Sequence, residues 1–248
     1  LTAQTKTTST EVSAALHYSR APILEAALRI KMVESIPAAA VGAMHPLLAE
    51  SYPTKQQVFD PLEEETSDGV RLTSKFVGYN FSADDGKRYV SARTDGITFS
   101  QLNPYDRWET FSAEGKRVWE AYRSVNISGV ESISLRYINR IEIRVPVTDL
   151  RKYLRTLPEI APELPHMIKS FLMRLELPTD HGIDLIVMQG TVKTPKPDTV
   201  ALMLDIEVNA PAESLSDDEM WIRFEALRVQ KNETFEHCIT DGLRDLIR

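Results

Sequence analysis

From Ser134 to Ile143 the chain reads SLRYINRIEI, and its apolar and polar residues alternate. Successive side chains of a strand point to opposite faces. Leu135, Tyr137, Asn139, Ile141 and Ile143 therefore share one face, while Arg136, Ile138, Arg140, Glu142 and Arg144 share the other. The same segregation recurs along the chain. Near the start, Leu24, Ala26, Leu28, Ile30 and Met32 oppose Glu25, Ala27, Arg29 and Lys31. Towards the end, Leu202, Leu204, Ile206 and Val208 oppose Met203, Asp205 and Glu207, and Phe171, Met173, Leu175 and Leu177 oppose Leu172, Arg174 and Glu176. This repetition predicts a sheet with one apolar face under helices and one charged face turned away from them.

Between the strands the punctuation is legible. Asp85-Gly86 and Asp95-Gly96 lie between β-prone runs, the turn chemistry of tight hairpins, and predict a three-stranded meander over FVGYNF, RYVSAR and GITFSQL. A helix is expected in HPLLAESYPTKQQVF, kinked or stopped by Pro53, and the acidic run DPLEEETSDG reads as a solvated loop. A long helix starts near NPYDRWE, with Pro104 suited to a first helical position or Asp106 and Glu109 to a capping box. Its apolar stripe is Trp108, Phe111, Val118, Trp119 and Tyr122, which reads as core. A short helix is expected in VTDLRKYLRTL, followed by a Pro-rich loop and three more strands. Ser216 and Glu219 form a capping box that opens the second long helix, with Met220, Phe224 and Leu227 at helical spacing. In the last helical segment, ITDGLRDLIR, Gly242 reads as a weak point.

These elements give an α+β fold: an antiparallel curved sheet, or two such sheets, with the long helices on one face. The two halves, about 21–127 and 128–248, run in the same order, which suggests internal duplication of a β-α-β-β-β-α unit. Residues 1–20 read as a flexible Thr- and Ser-rich tail, followed by a single body in which edge strands pair between the halves.

Composition narrows the function classes. The 248 residues are 42% hydrophobic and 26% charged, ordinary for a water-soluble globular chain, with a net charge of −7. That acidic balance argues against wholesale binding of nucleic acid while leaving room for a local basic patch. No apolar run is long enough to span a membrane, and no signal-peptide centre is present near the start. The single cysteine, Cys238, gives no disulfide framework and makes a reducing cytoplasm the expected location.

Four blocks carry a resemblance: APILEAALRIKM, FSQLNPYDRWETF, LRYINRIEI and FEHCITDGLRDLI. In this order they resemble a sporadically distributed prokaryotic family of chains about this long, known by an automated annotation number rather than by a functional name. The resemblance brings no assigned chemistry and no catalytic residues. It implies a bacterial or archaeal cytosolic protein, an accessory or defence-related gene product.

The residues themselves offer no catalytic constellation. His17, His45, His166, His181 and His237 lack zinc-site spacing, and neither a phosphate-cradling glycine loop nor a nucleophile elbow is present. Cys238 reads as a buried, inert thiol. No cofactor and no metal are expected. Asn139, on the helix side, must bond its amide to backbone at a bulge or helix end. The charged face holds the candidate ligand-binding residues Arg29, Arg136, Arg140, Glu142 and Asp205, which read either as a wet face with cross-strand ion pairs or as a grip for phosphates or carboxylates. The first strand also bears comparison with triphosphate-tunnel enzymes, whose alternating Glu, Glu and Lys bind metal and phosphate. Here those positions are Glu25, Ala27 and Arg29, and the missing second acid argues against metal-dependent hydrolysis. The leading expectation is a binding protein for a protein partner or for itself. An enzyme or sensor for a phosphorylated small molecule or nucleotide is the alternative, and a nucleic-acid saddle ranks last.

Overall fold

The computed structural model describes residues 18–66, 69–147, 149–165, 168–179 and 182–248. Of the expected tail only Tyr18 to Arg20 is described, and His17, His166 and His181 lie outside the described residues. Tyr18 to Arg20 are not frayed. Tyr18 donates its hydroxyl to Glu236 at 2.8 Å, and Arg20 bonds the carbonyls of Ile247 and Arg248.

The chain forms β1 (Ile23–Met32), two short helical turns α1 (Ala38–Val41) and α2 (His45–Leu48), then β2 (Thr54–Thr66), β3 (Gly69–Ser82), β4 (Arg88–Arg93) and β5 (Gly96–Leu102). Helix α3 (Trp108–Arg123) follows, then β6 (Val130–Arg144), a 3₁₀ turn at Leu150–Lys152, β7 (Leu172–Pro178), β8 (Asp184–Val192) and β9 (Thr199–Pro211). Helices α4 (Asp217–Cys238) and α5 (Asp241–Ile247) complete it. All nine strands belong to one open, curved antiparallel sheet in the order β2-β3-β4-β5-β1-β6-β9-β8-β7. The order reads alike outward from the central β1–β6 pair, through β5-β4-β3 on one side and β9-β8-β7 on the other. Strand β2 is an addition at one edge.

The alternation falls as the pattern requires. Leu135, Tyr137, Asn139, Ile141 and Ile143 are buried, as are Ala26, Leu28, Ile30 and Met32 on β1 and Leu202, Leu204, Ile206 and Val208 on β9. Leu24 and Leu177 depart from this and are exposed: a bulge at Ile23–Glu25 breaks the register of β1 against β6, and Leu177 lies near the end of β7, an edge strand of the sheet. The apolar stripe of α3 is wholly buried and packs over β5 and Leu28, while α4 lies over β6 and β9. The two long helices run antiparallel and meet through indoles. Trp119 donates to Asp217 at 3.0 Å, Trp108 donates to Glu225, and Trp221 covers Gly115, which leaves it room.

Four local expectations are corrected. The described part of the acidic run is not a loop: Asp60 to Thr66 completes β2, which pairs with β3 from Thr54↔Ser82 to Thr66↔Gly69, and Gly69 already opens β3, while residues 67 and 68 lie outside the described residues. Charge masked its extended character, and only the partner strand supplies the hydrogen bonds. The helix before it is confined to His45–Leu48. Helix α3 begins at Trp108 with extended Arg107 as its cap; Pro104 lies in the preceding loop, and Asp106 accepts from the Thr110 hydroxyl at 3.1 Å instead of forming a capping box. Gly242 is no weak point in α5. A β-carbon there would stand 2.3 Å from the Lys152 carbonyl oxygen, so its lack of a side chain lets α5 dock. The Ser216–Glu219 capping box is present in full.

Candidate functional site

The face of the sheet opposite the helices is covered by no described element, and its side chains come from alternate positions of β5, β1, β6, β9 and β8. Register decides which of them meet. Arg29 on β1 stands opposite Ser134 on β6 and, one strand further, Asn209 on β9. Ala27, Arg136, Glu207 and Ile186 form the next row, then Glu25, Ile138, Asp205 and Met188.

The five residues singled out from sequence do not form one constellation. Arg136 reaches diagonally to Asp205 and donates two parallel hydrogen bonds, Nε to Oδ1 at 2.9 Å and Nη2 to Oδ2 at 2.5 Å. These bonds hold the Arg136 guanidinium pKa above its ordinary value although burial opposes them. Arg140 is drawn the other way, to Glu142 at 3.3 Å and to the Lys193 carbonyl. Glu142 also accepts from Lys196, and that bond, ahead of its bond with Arg140, lowers the carboxyl pKa. Arg29 stands apart, half-exposed, its nearest carboxylate being Asp95 at 4.0 Å. The face is largely a set of ion pairs and charge-assisted hydrogen bonds: Lys31 bonds Glu131 at 2.7 Å, Arg174 bonds Glu176, and the neutral Tyr89 hydroxyl donates to Glu25 at 2.6 Å. Among Glu25, Arg29, Lys31, Arg136, Arg140, Glu142, Arg174, Glu176, Asp205 and Glu207, acids and bases are equal in number.

Two further features escape a reading of the sequence. On the outer face, a depression of about 60 Å³ lies over β6 between Arg29 and Lys31 on one side and Glu207 and Asn209 on the other, with Ser132 and Ser134 beneath. The signal was present in the two serines preceding Arg136 at period two, but register alone sets the long side chains beside them. On the helix side, Lys231 is buried in the stripe begun by Met220, Phe224 and Leu227, its ammonium 3.8 Å from the Tyr137 ring centre. Burial, with help from Arg228, lowers its pKa to about 7. Tyr137 and Tyr105 share a hydroxyl–hydroxyl bond of 2.7 Å beside it.

A larger groove of about 360 Å³ separates α3 from α4, between Trp108 and Trp221. Of its polar groups, Glu225 accepts from the Trp108 indole, Ser112 donates to the Glu109 carbonyl at 3.3 Å, and Lys116 lies over the Trp221 ring at 5.4 Å. Asn139 turns its amide to the Leu204 carbonyl at 3.0 Å, opposite the bulge of β1. Cys238 is buried, which raises its thiol pKa to about 11. Among the described residues no cluster of His, Cys, Asp and Glu is arranged to hold a metal ion, and no helix is long and apolar enough to cross a membrane. No family model matches the chain, and no curated protein matches it.

Proposed function

We propose that the chain is a binding protein that engages a protein partner, in the first instance a second copy of itself, through the outer face of its sheet. The observation that carries this reading is the composition of the uncovered face between β6 and β8. There Ile138, Ile186, Met188 and Met203, all half-buried, surround the internally neutralised Arg136–Asp205 pair. Apolar and sulfur-bearing side chains around a satisfied arginine are what protein interfaces favour at their centres. The setting we propose is the prokaryotic cytoplasm, in keeping with the family resemblance and with a chain whose single cysteine forms no disulfide.

Light scattering coupled to size-exclusion chromatography tests the reading. The expected result is a dimer that Met188→Glu or Ile138→Glu converts to monomer with an unchanged circular dichroism spectrum. A monomer at every concentration, retaining no partner from host lysate, counts against it.

The alternative, a phosphorylated small molecule or nucleotide gripped by Arg29, Arg136 and Arg140, has less behind it, since Asp205 and Glu142 already hold two of the three guanidiniums. A nucleic-acid saddle has less still, because a face of balanced charge offers few phosphate contacts.

A further inference from the structure

Along the outer face Lys31, Arg136, Arg140 and Arg174 are each bonded to a carboxylate, whereas one depression among the described residues is lined largely by side chains that make no hydrogen bond. Over Ser132 and Ser134 the floor of the sheet is low, because these short side chains on β6 stand between long ones on β1 and β9. Adjacent strands lie about 4.8 Å apart, so the two walls rise from backbones roughly 10 Å apart. Among the described residues, the side chains of Arg29, Ser132, Ser134, Glu207 and Asn209 hydrogen-bond to no other protein group. Arg29 comes no nearer to a carboxylate than the 4.0 Å to Asp95, whereas its neighbour Lys31 is bound to Glu131. One guanidinium, one carboxylate, two hydroxyls and one amide therefore converge on the same small depression with their bonding capacity unused.

From this convergence we infer a binding site for a small zwitterion of the α-amino-acid type. Its carboxylate lies against Arg29, its ammonium against Glu207, and the Ser132 and Ser134 hydroxyls with the Asn209 amide meet the remaining lone pairs and N–H groups. The two charged groups of the depression that make no hydrogen bond have opposite sign and sit on opposite walls: Arg29 has only its 4.0 Å contact with Asp95, and Glu207 only the attraction of Arg136 beside it, so a ligand of one charge leaves the other wall without a hydrogen bond. The volume of about 60 Å³ admits an ionic head group and excludes a nucleotide from the floor of the site. The inference uses the same face as the proposed interaction but not its premise. A monomer that binds the zwitterion keeps this inference and removes the other, and a dimer without binding does the reverse.

Isothermal titration calorimetry on the full chain tests it, with glycine, L-serine and O-phosphoethanolamine as probes and acetate, inorganic phosphate and ethylamine as single-charge controls. The expected result is one site for glycine or L-serine, with every single-charge control about tenfold weaker or more. Arg29→Ala and Glu207→Gln should each weaken that probe by about tenfold, since each removes a charge-assisted hydrogen bond. Ser134→Val, which suits a strand and raises the floor, should abolish binding without unfolding the chain, and serves if Arg29→Ala does not fold. O-phosphoethanolamine binding without glycine or L-serine would assign the site to phosphorylated amines and overturn the amino-acid assignment. Controls binding as well as the probes, binding indifferent to Glu207→Gln, or no heat from any probe would each overturn the inference.

Discussion

Asp205 and Arg136 share one ion pair unequally: the aspartate side chain is 4% exposed and the arginine side chain 41%. Removing Arg136 strands a carboxylate that water cannot reach, whereas removing Asp205 frees a guanidinium that water already touches. Arg136→Ala is therefore expected to cost roughly 3 kcal/mol or more and Asp205→Ala distinctly less. Urea denaturation of both variants checks this, and equal losses would sink it. Lys231 gives a second residue-scale expectation. Its pKa is about 7 in the folded chain, below the ordinary 10.5, so the unfolded chain holds the proton more tightly. Its cost is absent above about pH 10.5, grows as the pH falls, and is complete below about 7. The groups around it, Arg228, Tyr105 and Tyr137, supply no carboxylate to offset it. Lys231→Met should stabilise the chain by roughly 2–4 kcal/mol near neutral pH, less the lost contact with the Tyr137 ring, and by little near pH 10. Denaturant midpoints at the two pH values decide it; a gain independent of pH would refute the assignment.

Among the elements, those whose cause is local were legible. Both Asp-Gly turns join the strands that flank them, and the capping box at Ser216 starts α4 where the sequence places it. Ser216→Ala removes the acceptor for the Glu219 amide and should cost about 1 kcal/mol, read as a lowered denaturation midpoint with unchanged slope. Strand β2 was not legible, because Glu63, Glu64 and Glu65 state a preference for water and say nothing of the partner that makes them a strand. Pro61 within it suits an edge position, where a missing N–H interrupts no inner ladder. Helix α4 shows a different limit. Met220, Phe224 and Leu227 announce its buried face, yet the same face continues through Lys231 and Thr234 while Ile222 and Val229 are exposed. Spacing identifies a face by its majority; only packing identifies the exceptions.

At the scale of the whole molecule, the central β1–β6 pair joins the two halves of the sheet. Without the other half, β1 or β6 would become an open edge with one side of its backbone unpaired. A chain ending near residue 127, or one beginning near 128, should therefore aggregate when expressed alone, and co-expression of the two should recover a soluble complex. Sedimentation of the separate and combined products tests this. A well-folded, monomeric single half would show that the ladder between β1 and β6 is dispensable.

The sequence by itself determined which side of β1, β6 and β9 is apolar, where the two Asp-Gly hairpins turn and how the second long helix begins. Each of these follows from residues within a few positions of one another. Only the tertiary structure decided that Arg136 meets Asp205 and not Arg29, that Ser134 lies between Arg29 and Asn209, and that Lys231 sits against Tyr137. Those meetings depend on strand order and register between segments far apart in the chain. Period two assigns a side chain to a face, but its neighbours on that face come from whichever strands hydrogen-bond to its own.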